Sequence, residues 1–195
     1  MFTPIYKCLI NKETSTNPIW FMRQAGRYLP EFKQIRLQNP NFLKLCLNSD
    51  LASEITLQPM KRFNLDAAII FSDILVIPYA LGQPIEFEKK NGPRNSKLNI
   101  NKFLETNEKS FLSTLQPIYK AINKTKISLK KDKSLIAFVG APWTLMIYLY
   151  NLKEQKKFNK KITIKDKNEI KSVLKKLDEF LKIHIINQKQ AGADI

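Results

Sequence analysis

Three of the five arginines in this chain lie close together, at Arg23, Arg27 and Arg36, although lysines supply most of its 33 basic residues. A guanidinium group is a planar, permanently protonated fork that binds carboxylate or phosphate through two parallel hydrogen bonds. The i, i+4 spacing of Arg23 and Arg27 is also that of two solvated positions on one helix face. Clustering alone therefore leaves both an anion-binding site and an ordinary surface open.

Two further side chains have positions from which they could act on a bound anion. Asp73 follows an apolar run at 67–71, and Tyr148 follows a second apolar run and the Gly140 turn. In parallel α/β folds, side chains just beyond the carboxyl ends of strands line the active-site face. Taken alone, such an aspartate is typical of a turn or cap, and such a tyrosine is typical of a half-buried core position.

The elements that must position these residues alternate between strand and helix. The continuous apolar runs at 67–71 and 135–139 predict strands buried on both faces of a parallel sheet. Ser49 and Asp50 predict a capped helix start that runs toward Arg62, with Pro59 ending or kinking it. Thr144 is a candidate N-cap for a helix through Tyr148 and Tyr150.

The last third of the chain predicts one long helix and the start of another strand. Apolar spacing from Asp166 to Gln190 is that of an amphipathic helix, in which His184 is expected to pack. Gly192 then predicts a helix C-cap, and the residues after it resemble the first positions of a strand. The whole pattern predicts a parallel α/β architecture whose sequence is incomplete.

Composition excludes several classes of function. The net charge of +16 is spread over lysines beside asparagine and isoleucine, and the basic stretch at 153–176 contains acidic residues and lacks interleaved stacking aromatics. We therefore expect no nucleic-acid partner. No apolar run approaches the length of a membrane span, and no signal-peptide pattern begins the chain. Five scattered glycines form no nucleotide-binding loop. Cys8, Cys46 and His184 have neither zinc-site nor disulfide-framework spacing.

Three segments together closely resemble the uroporphyrinogen decarboxylase family. They read PIWFMRQAGRYLPEF at 18–32, LDAAIIFSDIL at 65–75 and GAPWTLM at 140–146, the last followed by Tyr148. The resemblance implies a (β/α)8 TIM-type barrel, with residues 1–195 forming about the N-terminal half of a single domain. It also implies a cytoplasmic enzyme that is a homodimer when full length.

The family members are carboxy-lyases that work without metal or organic cofactor. They remove the carboxyl groups of the four acetate side chains of uroporphyrinogen III, giving coproporphyrinogen III in haem biosynthesis. The resemblance implies that the catalytic residues here are Asp73, Tyr148 and Arg23, with Asp73 facing the pyrrole N–H groups and Arg23 a candidate proton donor or relay. The implied substrate-binding residues are Arg23, Arg27, Phe32, Arg36, Asp73, Ile74 and Tyr148.

The sequence departs from the family pattern after Tyr148, where residues 149–154 replace an acidic residue and a glycine-rich loop. Later strands and a C-terminal histidine of the family have no counterpart, so we expect this polypeptide alone to be inactive. Two alternatives remain at this point. One is a related cobalamin-dependent methyltransferase, which would need a zinc site of cysteine and histidine. The other is a non-catalytic basic binding protein.

Overall fold

The computed structural model describes residues 3–12, 17–88, 92–95, 98–150 and 167–195. The chain divides into two compact units, of which the first comprises Met1–Asp73, Gln116–Phe138 and Ile186–Ile195, and the second comprises Ile74–Leu115 and Val139–Ile185. None of the helices in the described part is both long and apolar enough to cross a membrane. Residues 151–154 of the departure at 149–154, the predicted helix start at Asp166 and most of the basic stretch at 153–176 lie outside the described residues.

Helices supply most of the described structure. The helices are α1 (Pro4–Tyr6), a π-helical turn (Lys7–Asn11), α2 (Pro30–Gln38), α3 (Phe42–Cys46), α4 (Ser49–Arg62), α5 (Val76–Ala80), α6 (Ile100–Glu105), α7 (Glu108–Ser128), α8 (Pro142–Leu149) and α9 (Lys167–Gln190). The strands are β1 (Ala67–Ile69), β2 (Ile85–Glu88), β3 (Gly92–Asn95) and β4 (Ser134–Ile136). Strands β2 and β3 form an antiparallel pair in the second unit.

The first unit is built on a parallel pair of strands, β1 and β4, which confirms the predicted parallel α/β arrangement. Ala67 pairs with Ser134, and Ile69 pairs with Ile136. Both strands are shorter than the predicted runs at 67–71 and 135–139. Beyond β1 the Ile70 N–H still donates to the Ile136 carbonyl at 2.9 Å, and the Phe71 N–H, on the opposite edge of the strand, donates to the Thr56 hydroxyl at 2.9 Å.

A further chain segment lies against the other edge of β4. The Ile195 N–H donates to the Leu135 carbonyl at 3.3 Å, and the Ala137 N–H donates to the Ile195 carbonyl at 2.7 Å. One residue thus donates to Leu135 and accepts from Ala137, two positions further along β4, which is the bonding of a parallel pair. Gly192 adopts φ +115° after α9, so the predicted C-cap followed by strand-like residues is confirmed.

Two predicted helix starts are wrong by one to three residues. Helix α4 is capped by Asn48, whose side-chain oxygen accepts from the N–H groups of Asp50 and Leu51 at 3.1 Å each. Helix α8 begins at Pro142, with Ala141 in the cap position, so Thr144 lies inside the helix. Proline suits the first helical turn because its missing N–H would have had no intrahelical partner there.

Pro59 does not end α4, which continues to Arg62. A proline inside a helix removes one bond, from its own nitrogen to the carbonyl four residues earlier. Here Pro59 is buried, and so is Ile55 one turn before it. Helical bonding resumes after the proline, because the Phe63 N–H donates to the Pro59 carbonyl at 2.9 Å.

Helix α1 covers part of one face of the β1–β4 pair. Ile5 packs in a cluster with Ala67 and Ile136, and Ile69 contacts the same cluster. The Thr3 and Ser134 hydroxyls share a buried hydrogen bond of 2.5 Å. The odd positions of β1 and the even positions of β4 therefore face the N-terminal segment.

His184 packs in the core of the second unit, which confirms the prediction made for it. Its side chain is 2% exposed and lies edge-on to Phe111, which in turn packs against Phe180 at 4.9 Å between ring centroids. Burial lowers the pKa of His184 to about 4. The imidazole is therefore neutral at neutral pH.

We expect His184 to make the folded chain acid-sensitive. The folded pKa lies below the ordinary value of 6.5, so between these pH values the unfolded chain binds a proton that the folded chain does not. Folding free energy should be lost as pH falls from about 6.5 to about 4, on the order of 3 kcal/mol in total. Urea unfolding at stepped pH should show a smaller loss in His184→Gln. Parallel pH profiles for the two proteins would contradict this assignment.

Candidate active site

A buried carboxamide holds the segment that carries Arg23 and Arg27. The Gln24 side chain is 2% exposed, donates to the Ala67 carbonyl of β1 at 3.0 Å and accepts from the Phe21 N–H at 3.1 Å. The main chain of Ile19 also exchanges hydrogen bonds with Asp66, both at 2.8 Å. These contacts fix the arginine loop, residues 18–29, to the segment that leads into β1.

Arg36 on α2 is held in one orientation by backbone acceptors. Its Nη1 donates to the carbonyls of Asn39, at 2.7 Å, and Pro40, at 3.3 Å. The guanidinium carbon lies 5.4 Å from the centre of the Phe42 ring. Burial lowers the pKa of Arg36, and the nearby charge of Arg27 lowers it further. The first unit thus brings two of the predicted arginines close enough to repel each other.

Asp73 lies four residues beyond β1 and belongs to the same electrostatic neighbourhood. Burial raises the pKa of the Cys46 thiol, and the negative charge of Asp73 raises it further, whereas the charge of Arg36 lowers it. Cys46 is fully buried at the end of α3. Asp73 and Arg36 therefore act on the same buried group, and Cys46 is a protonated thiol with no role as a nucleophile.

Phe32, a predicted substrate contact, lies in the core. It is 5% exposed and packs with Leu29, Leu45 and Ile55. Its ring meets the Phe71 ring edge-on at 5.8 Å, and Phe42 meets Phe71 at 5.6 Å. Phe32 therefore supports the chain between β1 and Asp73, and its contact with a substrate stays a prediction.

The remaining two predicted residues, Ile74 and Tyr148, belong to the second unit. A side chain at Gly140 would place its Cβ 2.8 Å from Leu145 Cδ2 and 3.1 Å from Ile74 Cβ. Residues that follow β1 and β4 are thus in direct contact, and only a glycine fits between them. Tyr148 is partly buried on α8, and its predicted bond to Asp73 stays a prediction.

Sequence reasoning missed the residues that hold this site together, chiefly Gln24 and Thr56. Thr56 is 1% exposed, donates to the Ala52 carbonyl at 2.6 Å and accepts from the Phe71 N–H. A glutamine within an arginine-rich loop and a threonine within a helix give no signal of such bonds. Among the described residues, no group of three or more histidine, cysteine, aspartate or glutamate side chains could hold a metal ion.

Comparison with solved structures identifies the class of fold. The chain is similar to a methyltransferase from Methanosarcina mazei, with a TM-score of 0.63 and 18% identity, over 83% of this chain and 48% of that one. At this identity the likeness shows a shared fold alone. The uroporphyrinogen decarboxylase (URO-D) family model matches residues 3–195, and the chain belongs to that family.

Curated relatives agree with the family assignment. A uroporphyrinogen decarboxylase of Rickettsia felis is 41% identical over 191 residues, which cover 95% of this chain and 54% of the relative. One from Rickettsia canadensis is 43% identical over 91% of this chain and 53% of the relative. One from Rickettsia rickettsii is 42% identical over 97% of this chain and 56% of the relative. The chain spans about half the length of these relatives.

We expect Gln24→Leu to release the arginine loop. The change keeps side-chain size but leaves the Phe21 N–H and the Ala67 carbonyl without their carboxamide partner, so it should cost about 1–3 kcal/mol of unfolding free energy. Hydrogen exchange should accelerate at the Phe21 amide. Gln34→Leu, at an exposed position of α2, is the matched control. Unchanged exchange at Phe21 in the Gln24 variant would show that the carboxamide does not hold the loop.

We expect Gly140→Ala to destabilise the chain by about 1–3 kcal/mol, because the added methyl group must displace the buried Leu145 and the Ile74 Cβ. Gly26→Ala is the matched control, since a Cβ there lies 3.8 Å from the nearest atom of Tyr28, at ordinary contact distance. Urea unfolding of both variants measures the difference. Equal effects at the two glycines would disprove the close approach at Gly140.

Proposed function

We propose that this chain forms about the N-terminal half of the (β/α)8 barrel of a cytoplasmic, homodimeric uroporphyrinogen decarboxylase. The parallel pairing of β1, β4 and Ile195 supports this proposal, because consecutive parallel strands joined by long helices are the repeating unit of that barrel. The family match over 3–195 supports the activity.

The observation that carries the proposal is the grouping of Arg27, Arg36 and Asp73 in one unit. Arg27 lowers the pKa of Arg36, and Arg36 and Asp73 both influence Cys46. Two guanidinium groups that repel each other are stabilised by a polyanion placed between them. Uroporphyrinogen is a polycarboxylate, so Arg23, Arg27 and Arg36 would bind and orient its carboxylates.

The reaction needs an electron sink, and the pyrrole ring supplies one without metal or organic cofactor. A proton adds to the pyrrole α-carbon next to the ring carbon that bears the acetate group, and the ring becomes cationic. The bond from the methylene carbon to the carboxylate then breaks, its electron pair moves into the ring, and CO₂ leaves. Protonation of the methylene carbon gives the methyl group, and loss of the ring proton restores the pyrrole.

Asp73 has the charge that this sequence of steps requires. Its carboxylate would accept the pyrrole N–H hydrogen bonds and stabilise the cationic ring, which is electrostatic preorganisation of the kind that dominates many enzymes. On the family resemblance we assign substrate contacts also to Ile74, Phe32 and Tyr148, with Tyr148 assisting Asp73. Arg23 remains our candidate for proton delivery.

Asp73→Asn tests the role of this charge. A carboxylate about 4 Å from a cationic ring contributes about 4 kcal/mol at an effective dielectric constant of about 20, which corresponds to roughly a thousandfold in rate. We expect kcat to fall by about that factor, with a smaller effect on KM. The assay is chromatographic separation of the decarboxylated porphyrinogens, with the complete product of the reading frame that encodes this chain.

Asp50→Asn is the matched control, because Asp50 is a surface aspartate paired with Lys124 at the start of α4. It should keep wild-type turnover. Turnover by Asp73→Asn at the wild-type rate would overturn the assigned role of Asp73. Absence of uroporphyrinogen turnover in the wild-type protein would overturn the proposed function itself.

A further inference from the structure

The first unit contains a cavity of about 530 Å³ at the amino ends of β1 and β4. Leu65 lies just before β1, and Lys133 lies directly before β4, whereas Asp73 follows the carboxyl end of β1. The cavity therefore lies beside the opposite end of the strands from the catalytic aspartate. Its lining residues are Leu57, Met60, Lys61, Phe63, Asn64, Leu65, Ser128, Leu129, Lys130 and Lys133.

Half of the ten lining residues of this cavity are apolar. Leu65 and Leu129 are 5% and 8% exposed, so they form buried wall, whereas the Phe63 ring is 47% exposed. A large aromatic side chain that lies open beside buried leucines offers a surface that an apolar molecule can cover. The volume lies within the range of about 300–1,000 Å³ that small-molecule sites occupy.

The charged part of the lining is positive. Lys61 and Lys130 are exposed, whereas the Lys133 side chain is 12% exposed and lies 3.2 Å from the Asn64 oxygen and 3.4 Å from Asp66. The ten lining residues include three lysines and no acidic side chain. Lysine stems also extend apolar surface while their ammonium groups stay in water.

A charge balance sets the kind of ligand that this lining favours. Asp66 offsets one of the three ammonium groups. Helices α4 and α7 both end here, at Arg62 and Ser128, and their carboxyl ends together contribute roughly one negative charge. About one positive charge then remains. This remaining positive charge lies beside the apolar lining residues, and the combination suits a ligand with one carboxylate attached to a hydrocarbon body.

We propose that this cavity binds a small amphipathic monocarboxylate, with its hydrocarbon part against Leu65, Leu129 and Phe63 and its carboxylate near Lys61 and Lys130. An inorganic anion would leave the apolar walls uncovered. A cationic or neutral amphiphile would leave the positive charge unmatched. The cavity borders the arginine loop, because the Phe63 ring lies 6.4 Å from the Tyr28 ring and Met60 Sδ accepts from Gln24 Nε2 at 3.8 Å. The proposal does not depend on the proposed decarboxylase activity.

The experiment titrates dodecanoate, below its critical micelle concentration, into the isotopically labelled full chain and follows amide chemical shifts. We expect saturable shifts centred on residues 57–65 and 128–133. Acetate supplies the carboxylate without the hydrocarbon tail. Dodecyltrimethylammonium supplies the same tail with the opposite charge. Acetate should bind far more weakly because it leaves the apolar walls uncovered. Dodecyltrimethylammonium should bind at least roughly fivefold more weakly, since a single ion pair in water is worth about that factor.

Charge-reversal variants test which lysines bind the carboxylate of dodecanoate. Lys130→Glu should weaken dodecanoate binding at least roughly fivefold, and Lys61→Glu, on α4, should do the same. Lys131→Glu is the matched control, because Lys131 is the exposed neighbour of Lys130 but does not line the cavity. It should bind dodecanoate as the wild type does.

Three outcomes would overturn the proposal. The first is equal affinity for dodecanoate and dodecyltrimethylammonium, and the second is equal weakening by Lys130→Glu and Lys131→Glu. The third is a set of shifts centred on residues 18–29, with binding lost in Arg27→Glu, which would place dodecanoate at the arginine loop. None of these readouts involves turnover, so a failed decarboxylase assay leaves the test intact.

Discussion

The arrangement of the first unit depends on the hydrogen bonds of one buried carboxamide. Gln24 joins the arginine loop to β1 through the Ala67 carbonyl and closes the loop on itself through the Phe21 N–H. A buried polar side chain is stable only when its hydrogen bonds are made, so the loop has one favourable conformation against the strand. Because β1 also leads to Asp73, one short strand links the position of the arginines to the position of the aspartate.

The electrostatics of this region follow from that packing. Arg62 is neutralised on the surface, where its fork binds both carboxylate oxygens of Glu31 at 2.7 and 2.9 Å. The orientation of Arg36 is instead fixed by the Asn39 carbonyl. Its guanidinium group lies near the Phe42 ring, and Arg27 is close enough to lower its pKa. The folded chain holds positive charges together at a cost in free energy, and binding of an anion would relieve that cost. Two arginines of the same chain thus differ in role because their neighbours differ.

Hydrophobic periodicity predicted the elements well and their ends less well. The runs at 67–71 and 135–139 located both parallel strands, because a strand buried on both faces must be apolar throughout. The bond from the Phe71 N–H to the Thr56 hydroxyl and the capping of α4 by the Asn48 side chain are tertiary and local bonds that no apolar pattern records. The site residues were predicted by the family resemblance, whereas the supporting bonds of Gln24 were visible only in the fold.

The chemistry of the two cysteines follows from where the fold places them. Cys46 is fully buried, and its pKa is raised by burial and by Asp73, whereas Cys8 lies on a partly exposed helical turn. Alkylation and disulfide exchange proceed through the thiolate, which the folded chain withholds at Cys46. A thiol-directed fluorophore should therefore attach to Cys8 while the chain stays folded. Delayed labelling of Cys46 would then record how often the core beneath Arg36 opens.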